Sequence, residues 1–95
     1  MDWPFDQAPN VAAITTRQVT DDNFPILSVV HYADDHSWAF TCGTSNESQD
    51  ARIVGMGQVS QLDATIFEIA SLPPSWGATR AEVGGAWHTY EMPAS

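Results

Sequence analysis

The chain has 95 residues, 43% of them hydrophobic and four of them tryptophan, which is enough apolar material for one folded core and too much for a disordered chain. Twelve acidic residues face three arginines, giving a net charge of −9, a balance that excludes phosphate backbones and anionic membrane surfaces as partners and favours a basic protein. The apolar runs are too short to span a bilayer, "MDWPFDQAPN" has no basic flank leading into an apolar run, and the single cysteine, Cys42, has no partner for an internal disulfide. A cytoplasmic location is therefore expected.

Residues 1–13 read as an irregular arm, broken by Pro4 and Pro9, with Trp3 and Phe5 available to pin it to the body of a single domain spanning 1–95. "AAITTRQVT" (12–20) is rich in β-branched residues and suits a strand, although a helical turn fits it too. "DDNFP" breaks the chain, and Pro25 imposes an extended entry into the next element. In "ILSVVHYA" (26–33) the residues alternate, with Leu27, Val29, His31 and Ala33 on one face and Ile26, Ser28, Val30 and Tyr32 on the other, which predicts a strand. "DDHS" supplies turn chemistry, and "WAFTC" (38–42) predicts the returning strand of a hairpin.

A polar loop, "GTSNESQDA", leads to a short strand in "RIVGM" (52–56). Val59, Leu62, Ile66, Ile69 and Ala70 then recur at near-helical spacing, predicting one helix over about 58–71. Asp63 either caps that helix or lies within it. Pro73 and Pro74 end it. "GATRAE" and "AWHTYEM", joined across "VGG", predict a second hairpin. The fold expected is α+β, an antiparallel sheet of about four to six strands built from hairpins with one helix packed on one face.

The stretch "VVHYADDHSWAF" (29–40) holds the residues with most chemical potential. His31 and His36, joined by Asp34, Asp35, His88 or Cys42, have the side chains of a metal site, but no local ligand pair has the spacing of a structural zinc motif. Regular strand geometry would also put His31 and His36 on opposite faces, an objection that weakens because His36 belongs to the turn. Solvated turn residues are the simpler account, so no metal and no cofactor is expected. Cys42 could pair with a histidine as a nucleophile, but the acidic surface opposes a thiolate. Asp21, Asp22, Asp34 and Asp35 are neighbouring turn acids and do not form an acid–base pair across a cleft. Trp76, Arg80 and Trp87 cluster in the C-terminal third, where tryptophan and arginine together suit a protein-binding patch, while Trp76 also suits a lid over the end of the helix. Arg17, Arg52 and Arg80 are expected to hold carboxylate partners.

The pattern carried by Asp34, Asp35, Trp38, Phe40, Gly43, Leu72, Pro73, Trp76, Ala78, Arg80 and Trp87 resembles a group of small uncharacterised bacterial proteins, and the likeness covers about residues 24–91. Some of that group resemble proposed immunity proteins of toxin systems. The resemblance implies a non-catalytic module that sequesters a partner protein. The function expected is thus binding of a basic protein through Asp34, Asp35, His36, Trp76, Arg80 and Trp87. The alternatives are a small metal-dependent or hydrolytic enzyme using His31, His36 and Cys42, and a structural homodimer.

Overall fold

The computed structural model describes residues 3–34, 36–43 and 48–92, and shows a mixed α+β domain built on one six-stranded sheet. The strands are β1 (Ala12–Thr16), β2 (Ser28–His31), β3 (Trp38–Thr41), β4 (Ala51–Gly55), β5 (Trp76–Thr79) and β6 (His88–Glu91), in the spatial order β4-β1-β3-β2-β5-β6. Both expected hairpins form. β2 pairs antiparallel with β3 in a register that sets His31 opposite Trp38 and Val29 opposite Phe40. β5 pairs antiparallel with β6, and β2 joins the two hairpins by pairing with β5, His31 opposite Trp76.

The sheet is not wholly antiparallel. β1 inserts between β4 and β3 and runs parallel to β3, with Ile14 opposite Ala39. The buried Thr15 hydroxyl reinforces that junction by donating to the Phe40 carbonyl at 2.6 Å. Both readings of residues 12–20 are realised in succession, since β1 ends at Thr16 and a one-turn helix, α1, occupies Arg17–Thr20.

The single helix expected over 58–71 is two pieces. An α-helix, α2, covers Met56–Leu62, and a 3-10 stretch covers Ala64–Ile69. Asp63 separates them in an extended conformation (φ −156°, ψ 101°), ending the first and capping the second by accepting the Thr65 N–H at 2.9 Å. The pattern is near-helical all the same because both pieces bury the same side: Met56 and Val59 from one, Ile66 and Ile69 from the other.

These residues join Val29, Trp38, Phe40 and Ala78 in one core. β2, β3 and β5 present them on a common face, as cross-strand neighbours must when side chains alternate. The arm is fastened onto this core. Phe5 is buried, with its ring 4.9 Å from Trp38 in an edge-to-face contact, and Trp3 meets Phe67 edge-on at 5.7 Å. Behind them, the Gly57 N–H donates to the Pro9 carbonyl at 2.8 Å and the Met56 N–H to that of Val11 at 2.9 Å. An arm anchored at both ends holds its intervening side chains in fixed positions, and one of these is Asp6. Among the described residues, no helix is long and apolar enough to cross a membrane.

Candidate metal centre

Asp6, His31 and His36 come together at one end of the β2–β3 hairpin, each offering a ligand atom within 4.8 Å of the others. Three different local structures deliver them. His31 closes β2 and points to the buried face because it keeps phase with Val29. His36 sits in the connection between β2 and β3 with φ +60°, a left-handed conformation that breaks the strand alternation. This break brings its ring to 5.9 Å from that of His31 at 88°, on the side regular alternation would deny it. Asp6 comes from the anchored arm.

The protonation pattern of His31 is set by its partners. Nδ1 lies 2.7 Å from the Leu72 carbonyl, which can only accept, so Nδ1 carries the proton. In the neutral ring, Nε2 then offers a bare lone pair. That atom is buried and stands 3.1 Å from Asp6 Oδ2. A lone pair and a carboxylate oxygen at this distance repel each other unless a positive charge lies between them. Two candidates for that charge exist: a second proton on His31 or a metal cation.

The surroundings hold the group rigid. Trp38 stacks on His31 with centroids 3.9 Å apart and planes 15° from parallel. Its indole Nε1–H donates 2.9 Å to Asp6 Oδ1, leaving Oδ2 to face both histidines. His36 Nδ1 lies 3.5 Å from the same Oδ2, and the Gln7 side chain donates to the His36 carbonyl at 3.2 Å. Outer partners that fix the tautomer of a histidine and the rotation of a carboxylate are what metal-binding residues require. In a tetrahedral zinc site, with bonds of about 2.0–2.2 Å, neighbouring ligand atoms stand about 3.3 Å apart. The separations of 3.1 and 3.5 Å about Oδ2 bracket that figure. His31 is buried, whereas the Asp6 and His36 side chains are 39% and 54% exposed, so a bound ion would face solvent on one side and keep water there.

Burial pushes the Asp6 carboxyl up, but the Trp38 N–H, the charge and hydrogen bond that His31 supplies when protonated, and the charge on a protonated His36 outweigh it, leaving the group below its ordinary value of 3.8. A depressed carboxyl stabilises the fold above its unfolded pKa, and that contribution fades as pH falls through the lower folded value. Without metal, Asp6→Asn should therefore destabilise the protein at neutral pH, with the deficit closing below about pH 4. Urea midpoints measured in chelator across that range would check it, and a deficit constant with pH would contradict it.

The other expected site residues lie elsewhere. Asp34 is exposed in the turn, and Asp35 falls outside the described residues. Cys42 is buried just beyond β3, where Thr41 pairs with Ser28, three residues along the hairpin from the His31–Trp38 pair. Cys42, one residue further, is about 13 Å away at strand spacing and is no member of this cluster. His88 is exposed on the edge strand β6.

Arg80 turns inward. Its side chain is fully buried and donates to the Ile26 carbonyl (3.0 Å), Thr65 Oγ1 (2.8 Å) and Asp63 Oδ2 (2.7 Å), with Trp87 stacked 4.2 Å above the guanidinium. The Trp87 indole N–H in turn donates to Glu68 at 3.1 Å. The expected Trp76–Arg80–Trp87 binding patch thus has its arginine committed to the joint between α2 and the 3-10 stretch, while Trp76 is half-buried against the core. Arg17 pairs with Asp50 and Asp22, as expected, but Arg52 bonds to the Gln49 and Ala51 carbonyls.

Comparison of the chain with protein-family models, with curated proteins and with solved structures returned no match.

Proposed function

We propose that this domain binds one divalent transition-metal ion, of the zinc class, through His31 Nε2, His36 and Asp6 Oδ2. The observation that carries this reading is the buried His31 Nε2. Its ring is locked by the Leu72 carbonyl and Trp38, with Nε2 held 3.1 Å from the Asp6 carboxylate and His36 beside the same oxygen. Two imidazoles and one carboxylate suit zinc and its first-row neighbours, whereas calcium and magnesium prefer all-oxygen sets. The ligands come from segments 25 residues apart in sequence, so the ion would tie the arm to the hairpin. Small domains gain stability from such a staple. The role proposed is structural and non-catalytic.

Titration of chelator-treated protein with zinc by calorimetry tests this reading. One ion bound per chain, accompanied by proton release and a rise in melting temperature, is expected. Calcium and magnesium should give no heat at the same concentrations. Failure of zinc to bind, or binding without stabilisation, would leave the alternative in which a second proton on His31 holds the Asp6 contact.

A further inference from the structure

Away from the histidine cluster, α1, the loop after it, the end of α2 and the turn between β5 and β6 enclose an open groove of about 250 Å³. Its floor is Val19 and Ile26, both buried, and its walls include Phe24, Leu62 and Val83, which remain 45%, 46% and 52% exposed. Three of the large apolar side chains exposed among the described residues thus gather at one depression.

The wall formed by Phe24 is held in place by backbone contacts. Asn23 takes φ +57°, which asparagine tolerates, and the Phe24 N–H donates to the Gln18 carbonyl at 2.9 Å. Pro25 comes next and fixes the exit. The loop therefore spends backbone restraint on keeping a phenylalanine at the surface.

Charge distinguishes the occupants. Asp21 and Asp22 precede the Asn23–Phe24 wall, Glu82 precedes Val83, and Asp63 lines the groove. The nearby cations are already engaged: Arg80 is buried on Asp63, and Arg17 is shared between Asp50 and Asp22. Lysine is absent from the chain, whose net charge is −9. An apolar cavity on a chain of net charge −9, with Asp21 and Glu82 next to its lining segments in sequence, complements a segment with one large apolar residue between basic ones, the apolar side chain supplying affinity and the flanks speeding encounter.

We propose that this groove docks a basic protein segment, seating one apolar side chain among Phe24, Leu62 and Val83. Neither zinc nor His36 takes part, so the proposal stands apart from the metal reading.

A fluorescent heptapeptide with a central leucine between two runs of three arginines tests it, alongside a matched peptide with central serine and one with glutamates replacing the arginines. Binding to the full chain should be measured by anisotropy, and the contact surface mapped by amide chemical shifts. The leucine–arginine peptide should bind, weaken as salt rises, and shift residues around Phe24, Leu62 and Val83. Phe24→Ser and Leu62→Ser leave the charge unchanged and should each lower its affinity about tenfold, whereas Ile53→Ser, at an exposed position outside the groove, should not. Equal binding of the leucine and serine peptides would show charge attraction alone and overturn the proposal. So would absence of binding, or concentration-dependent shifts at the groove without peptide, which would make a second copy its occupant.

Discussion

His36→Ala should lower zinc affinity by about a hundredfold or more while leaving the metal-free protein within about 0.5 kcal/mol of its original stability. The two effects separate because His36 is more than half exposed and belongs to a connection, so its loss removes a ligand without opening the core. Two remaining ligands cannot complete a three-residue set. His31→Ala should also abolish binding, but it uncovers one face of Trp38 and leaves the Leu72 carbonyl unpaired. Its metal-free form should therefore lose about 2–4 kcal/mol as well. Calorimetry and urea denaturation on the two variants check the distinction. Unchanged zinc affinity in His36→Ala would remove that residue from the site.

Arg80→Ala should be the most damaging single substitution outside the apolar core, costing about 3–5 kcal/mol. It strands the Asp63 carboxylate, which is 13% exposed, and frees the Ile26 carbonyl and Trp87 from their common partner. A domain of this size has only about 5–10 kcal/mol to lose, so much of the population would unfold near physiological temperature. Arg80→Lys should recover less than half, because one compact ammonium cannot reach the three acceptors that the guanidinium fork serves together. The shift in urea midpoint measures both. A loss under about 1 kcal/mol in the alanine variant would show that the joint at Asp63 holds without its arginine.

Arg80 also marks where the sequence is legible and where it stops. The β2–β3 hairpin is visible because strand alternation and turn residues are local properties, and they agree from Ile26 to Cys42. The break at Asp63 is only half visible. The aspartate is a cap in sequence, but its other partner at the break is an arginine seventeen residues later, which local pattern does not reveal. The parallel pairing of β1 with β3 leaves no local trace at all, since residues 12–16 carry the same pattern whichever neighbour they take.

The candidate site is hidden for a related reason. Strand periodicity carried through the turn would set His31 and His36 on opposite faces, but β2 ends at His31, and His36 lies in the connection with a left-handed backbone. Asp6 carries no signal of its own in an arm that reads as irregular. The available cue is indirect: Trp3 and Phe5 must be buried somewhere, and burying them positions the acid near them. Asp34 and Asp35 are the acids nearest the histidines in sequence, whereas among the described residues the acid that meets them in space is Asp6.

The most direct test of the metal reading is anomalous diffraction at the zinc edge from crystals of the zinc-loaded protein. One peak is expected, about 2.0–2.2 Å from His31 Nε2, the His36 ring and Asp6 Oδ2, with solvent completing the coordination. A peak at His88 or another surface residue, or none at full loading, would contradict it and leave Asp6 and His31 as an ion pair.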